Sequence, residues 1–314
     1  MEGDRKRHSS RVAPYSQRSE SKGNTMDCLD IGPRPPDCLD ITTGTRPPGC
    51  LDCLRTRLHL LPIITFTWLG ITVCLSYTLA AIKNDTEADF PYISKTANDD
   101  PQRAIFAQMV TIGSVLYGMC STMRYLSIKA DLLSCSVSRG YHRLNIACLC
   151  VGLLVCLGNS LLGNFPTDGY NSYFKGPHYV GAAMAFIGGV VYGWIQTRLS
   201  WVLDRKQRWT GRVQLLLIIW TTVALLTFGI SKTVYELQKS KGYGTKENEL
   251  RDVYLASTIT EWILAFSIAG FPLTFIRDFK ASILRSPKIS RRDYTEQVEY
   301  GIDYGRIKED KGVH

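Results

Sequence analysis

The chain has 314 residues, a formal net charge of +9 and ten cysteines, and its mean hydropathy of −0.05 is that of an ordinary soluble domain. That average conceals a segregated pattern: residues 1–56 and 281–314 are polar and charged, and between them the apolar residues gather into long runs. The basic residues cluster in short segments beside those runs, and no aromatic-interleaved basic patch is present, so the charge points to anionic lipid and excludes a nucleic-acid partner.

The N-terminal stretch is repetitive. Asp27-Cys-Leu-Asp-Ile-Gly-Pro-Arg-Pro-Pro is followed by Asp37-Cys-Leu-Asp-Ile and then by Arg46-Pro-Pro-Gly-Cys-Leu-Asp. Recurrent proline and small polar residues without a helical apolar face predict a disordered low-complexity tail over residues 1–56. It does not read as a cleaved signal peptide, because the first apolar run begins too late and is too long. Cys50 and Cys53 have the spacing of half a zinc site, but no second ligand pair follows. Beside the first span they are also candidates for palmitoylation. No cysteine falls in a segment assigned to the lumen, so no disulfide framework is expected. No metal or other cofactor is expected either.

Six apolar segments follow: Leu60–Ile82, Ala104–Leu126, Leu144–Asn164, Tyr179–Leu199, Val213–Ser231 and Tyr254–Ile276. Each is close to the roughly 20 residues a helix needs to cross a bilayer. The fold class is therefore all-α, a polytopic bundle of six transmembrane helices over residues 57–280, followed by a tail over 281–314. Charge sets the orientation. Arg55 and Arg57 precede the first span. Arg124, Lys129, Arg139 and Arg143 lie around the link between spans two and three, and Arg198, Arg205, Lys206, Arg208 and Arg212 around that between four and five. Arg277, Lys280 and Arg285 open the tail. The positive-inside rule places these segments, and so both termini, in the cytosol. The first loop is acidic (Asp85, Glu87, Asp89, Asp99, Asp100) and suits the lumen. The link between spans five and six is discordant, with Lys232, Lys239, Lys241, Lys246 and Arg251, and only the alternation of spans assigns it to the lumen.

Within the spans, Gly181, Ala185, Gly189 and Gly193 form a stripe at four-residue spacing. In lipid such stripes let helices approach closely, either inside the bundle or across a homo-oligomer or lipid groove. Asn159 and Asn164 near the end of span three, His178 entering span four, and Glu261 two turns into span six are polar groups at or near membrane depth. They are candidates for structural hydrogen bonding or for a proton or ligand role. His178 and Glu261 could share one lumenal level as an acid–base pair. No nucleophile, metal-type cluster or phosphate loop accompanies them, so an enzyme is not the favoured reading. Pro272 should kink the sixth span. Asn84-Asp-Thr86 is a glycosylation sequon close to the end of span one. Tyr304-Gly-Arg-Ile307 has the tyrosine-x-x-apolar pattern read by endosomal sorting adaptors.

From about Pro62 to Ile283 the chain resembles the DRAM (damage-regulated autophagy modulator) family. The likeness rests on Phe90-Pro-Tyr-Ile-Ser94 in the acidic first loop, Arg124-Tyr125, Leu144-Asn145, Gly152, Cys156-Leu-Gly158, Ser160 and Asn164-Phe165. It continues through His178, Gly181-Ala182, Phe186, Gly189, Tyr192, Gln196-Thr197, Leu199-Ser200, Glu261-Trp262, Phe266-Ser267 and Leu273 to Phe279. The resemblance implies a non-enzymatic lysosomal or endosomal membrane protein that promotes autophagy and influences cell death. It would act through membrane lipids and partners in the autophagy machinery. Broader relatives act in lipid-anchor maturation and phosphoinositide signalling, so a lipid-handling protein or small-solute transporter is the alternative. The N-terminal repeat and Pro166 depart from the family pattern.

Overall fold

The computed structural model describes residues 57–86, 89–135, 137–167, 175–203 and 209–282. The N-terminal repeat with Cys50 and Cys53, and the C-terminal tail with Tyr304 and Ile307, lie outside the described residues.

Six long helices account for the apolar segments: α1 (Leu60–Ile82), α2 (Gln102–Ser134), α3 (Arg139–Asn164), α4 (Lys175–Leu203), α5 (Trp209–Ser240) and α6 (Arg251–Gly270). A 3₁₀ turn over Phe271–Phe275 and a short helix α7 (Ile276–Lys280) continue α6. All six segments are long and apolar enough to cross a membrane. A helix satisfies its own backbone polar groups, which is the condition for spanning hydrocarbon. Helices consecutive in the chain pack on one another, and α1 also meets α6 and the 3₁₀ turn, which closes the bundle.

The surface differs from that of a water-soluble bundle, and the interior admits many polar side chains. Ile64, Ile71, Leu153, Leu216 and Leu226 are exposed, whereas Thr65, Thr72, Ser76, Ser121, Gln196, Gln214 and Thr221 are buried. Lipid gives apolar residues no particular reason to turn inward, so hydrogen-bonding groups share the interior with an apolar core that includes Ile128, Leu199, Ile218 and Phe275. Many of the hydroxyls are satisfied locally: those of Thr65, Ser114, Ser121, Thr197 and Thr221 donate to the carbonyl one turn earlier, at 2.7–3.0 Å.

The helix ends have identifiable causes. Asn84, at φ 60, turns the chain out of α1, and Asp85 N–H closes on Ala80 O at 3.0 Å. Ser138 caps α3, its hydroxyl accepting from Gly140 N–H at 3.4 Å. That helix stops at Phe165, which is extended (φ −110, ψ 112) because Pro166 follows and disfavours helical geometry before it. Pro272 stands in the turn where α6 tightens from α to 3₁₀ geometry.

Several helices outrun their predicted spans. With 33 residues, α2 is about 50 Å long at 1.5 Å per residue, well beyond a hydrocarbon core of about 30 Å. The sequence places its end at Leu126 and reads Lys129 as part of a loop. The helix instead runs on to Ser134, carrying Lys129 with it. Likewise α5 reaches Ser240, so Lys232 and Lys239 sit on a helix and not in the following link.

Candidate functional site

The segment between α1 and α2 folds onto the end of α6 and is held there by side chains from three helices. Ile93–Ala97 forms a 3₁₀ turn. Thr96, fully buried, is held by Ser76 of α1, whose hydroxyl lies 3.0 Å from both its carbonyl and its hydroxyl. Tyr92 O–H donates to Ser257 Oγ at 2.8 Å, and Trp262 Nε1–H donates to Pro91 O at 2.9 Å. Glu261 Oε2 accepts from Ile93 N–H at 2.9 Å. Arg251 and Asp89 form an ion pair across the same interface. Burial pushes the Tyr92 phenol well above its ordinary range, so it remains a donor.

Three of the discordant basic residues of the fifth link, Lys232, Lys239 and Arg251, belong to this interface. The Lys232 ammonium lies 3.7 Å from the centre of the Tyr92 ring and 3.2 Å from Glu236. Lys239 covers Tyr235 at 5.8 Å, and Arg251 pairs with Asp89. These charges answer aromatic faces and carboxylates within the protein, which accounts for their presence on the acidic-loop face.

Beneath the folded loop lies a cavity of about 110 Å³, whose lining includes Leu69, Gly70, Tyr117, Asn159, His178, Phe186, Glu261 and Phe266. Three of the polar groups singled out from the sequence (Asn159, His178 and Glu261) therefore meet at one place, and Asn164 does not. Its amide donates to Thr111 Oγ1 at 3.0 Å and Ser160 O at 2.8 Å, and it borders a separate cleft of about 360 Å³ with Arg103 and Asp100. His178 already has a structural task. Its Nδ1 lies 3.1 Å from Leu162 O and 2.8 Å from Phe165 O, and since carbonyls only accept, Nδ1 carries the proton. The ring thereby caps the carbonyl end of α3.

The small-residue stripe is occupied inside the bundle. A Cβ on Gly181 would lie 2.6 Å from Leu162 N, and one on Gly158 would lie 2.7 Å from Ala185 N, so α3 and α4 touch backbone to backbone. Further along, Gly189 faces Ile268, and Gly193 faces Ile218 and Phe271. Asn84 is exposed just past the end of α1.

A second cluster was not legible as a site in the sequence. Arg124, read there as a loop charge, is buried at 3 % exposure in the opposite half of the bundle. Its Nε donates to Gln196 Oε1 at 3.2 Å, its Nη2 to Ser200 Oγ at 2.9 Å and its Nη1 to Asp278. The guanidinium lies 4.8 Å from the centre of the Phe275 ring. One side chain thus joins α2, α4 and α7. The available signals were Gln196 and Ser200 one turn apart on α4, and Asp278 as a single acid in a basic segment.

Six apolar helices with hydrogen-bonding interiors and outward-facing aliphatics define a polytopic α-helical membrane protein. The chain belongs to the family described as the Frag1/DRAM/Sfk1/Cwh43P N-terminal domain, whose model matches residues 57–282. It is 32% identical over 244 residues to DNA damage-regulated autophagy modulator protein 2 of Mus musculus, with 73% of this chain and 86% of that one covered. With DNA damage-regulated autophagy modulator protein 1 of Homo sapiens it shares 26% identity over 238 residues, covering 74% and 95%. With the modulator of macroautophagy TMEM150B of Bos taurus it shares 33% over 167 residues, covering 51% and 66%. No solved structure matches the chain.

Proposed function

We propose that this protein is a non-catalytic regulator that promotes autophagy from the lysosomal or endosomal membrane, with both termini in the cytosol. The observation that carries the reading is the family membership, with relatives named as autophagy modulators aligned across most of both chains. The site chemistry is in keeping with it. His178 and Glu261 each hold backbone groups of the protein, which suits a scaffold better than an acid–base pair. Adaptors reading Tyr304 to Ile307 would deliver the protein, and contacts with the autophagy machinery or with lipid would carry its effect, extending to cell death.

The test is expression of a C-terminally tagged chain, imaged against a lysosomal membrane marker with selective permeabilisation, together with autophagic flux on depletion and re-expression. Lysosomal signal, a cytosolic tag and flux that falls on depletion are the expected results. Plasma-membrane or early secretory signal with unchanged flux would overturn the reading in favour of the phosphoinositide or lipid-anchor relatives.

A further inference from the structure

The cavity under the first loop contains polar groups that the protein itself leaves unsatisfied. Glu261 is 7 % exposed and lines the cavity. Its Oε2 accepts from Ile93 N–H, while Oε1 takes no hydrogen bond among the described residues. Asn159, in the same wall, makes no side-chain hydrogen bond among them either. Unpaired polar groups at membrane depth are costly and call for a partner.

The remaining lining is apolar: Leu69, Val73, Phe106, Val110, Leu162 and Phe186 among others. Ile93 and Ser94 of the folded loop close one end. The wall between α1 and α6 is low, since a Cβ on Gly70 would meet only the Phe266 ring, at 3.8 Å, and Ala269 stands beside it in the lining. About 110 Å³ is less than the roughly 150 Å³ cavity that just admits benzene, and below the range of pockets that enclose whole drug-sized ligands. A complete lipid or a fused ring system does not fit inside. A slender ligand fits if its head occupies the cavity and its chain leaves between the helices.

We propose that this cavity binds a single-chain amphiphile with a hydrogen-bond-donating head, an amine or a hydroxyl. The head donates to Glu261 Oε1 and meets the Asn159 amide, and the chain passes between α1 and α6 at Gly70, Phe266 and Ala269 into the bilayer. A carboxylate-headed chain brings an acceptor to an acceptor and is rejected. This binding does not depend on a role in autophagy.

The test uses the full chain in lipid nanodiscs with photoactivatable probes: a long-chain amine, a long-chain alcohol, a long-chain carboxylic acid and a sterol. The expected result is labelling by the amine, the alcohol or both, mapped to peptides around Gly70 or Phe266, with the acid and sterol at background. An amine that labels alone indicates a charged head, and labelling by both indicates hydrogen bonding without charge. Glu261→Gln keeps an oxygen for Ile93 N–H but turns an NH₂ toward the cavity; an ammonium head cannot accept from it, so labelling by the amine should fall about tenfold while the melting temperature holds. Ala265 also lines the cavity; Ala265→Phe fills it and should abolish labelling, which keeps the test decisive if Glu261→Gln misfolds. Equal amine labelling of wild type and folded Glu261→Gln, undiminished labelling of folded Ala265→Phe, labelling by the acid as strong as by the amine, sterol labelling alone, or no labelling at all would overturn the proposal.

Discussion

Arg124 on α2 and Asp278 on α7, separated by 154 residues in the sequence, form an ion pair in which the arginine is buried and the aspartate is partly open to solvent. Gln196 and Ser200 of α4 occupy the other guanidinium nitrogens, and Phe275 lies against the guanidinium. The pair fastens the end of the chain's last described segment to the centre of the bundle.

The two partners should not be equivalent to mutation. Asp278→Ala leaves a buried guanidinium without a counter-charge, whereas Arg124→Met leaves an aspartate that water can reach. We expect Asp278→Ala to destabilise by about 2–3 kcal/mol, less than a fully buried pair because Asp278 is a third exposed, and Arg124→Met to cost less. The double variant should be more stable than the sum of the two losses implies. Thermal unfolding of the purified protein in detergent, analysed as a double-mutant cycle, measures the difference. Arg124→Lys should not rescue, since an ammonium cannot reproduce the guanidinium fork.

The first loop should loosen when its clamps on α6 are cut. Tyr92→Phe removes the hydrogen bond to Ser257 and should cost about 1 kcal/mol, with Trp262→Phe similar. Hydrogen exchange over residues 89–100 should rise in both variants while the spans remain protected. Because burial raises the Tyr92 pKa, its folded form keeps the proton, and its contribution is lost only as pH rises through that raised value. Protection of the loop should therefore persist up to about pH 10, the ordinary tyrosine value. Loosening on the alkaline side of neutrality but well below that pH would mean that Tyr92 does not act as described.

Backbone contact between α3 and α4 predicts a sharp difference among glycines. Gly181→Ala or Gly158→Ala places a methyl group 2.6–2.7 Å from backbone atoms of the facing helix and should force the two apart. Severely reduced folded yield is expected, judged by size-exclusion chromatography. Gly176→Ala and Gly229→Ala, where nothing lies within 4 Å, should be silent. Equal behaviour of the two sets would show that the helices do not meet at the stripe.

On the proposed lysosomal location, the tail motif predicts that Tyr304→Ala shifts the protein to the cell surface, seen by surface biotinylation. Continued lysosomal residence would dispose of the sorting signal while leaving the six-helix fold and the family unaffected.

The six spans were legible because hydrocarbon imposes a one-dimensional rule: about 20 apolar residues per crossing, whatever the neighbours are. The bounds Leu60–Ile82 therefore match α1 residue for residue. Helix extensions past the predicted spans were not legible, because Lys129 and Lys232 carry the same charge whether they stand on a helix or in a loop. The place of Glu261 in the first half of its span also followed from the sequence alone, being a count along one segment. Its partner did not: Ile93 N–H is a backbone donor 168 residues away, and nothing in a side-chain pattern marks it. Arg124 shows the same limit more sharply. Its charge is equally suited to a cytosolic loop and to a buried network, and only the packing of α4 and α7 around it decides between them. Sequence by itself determined the membrane class and which residues were costly to place. Tertiary structure alone decided what answers each cost, because those partners come from helices distant in the chain, brought together only by the closure of the bundle.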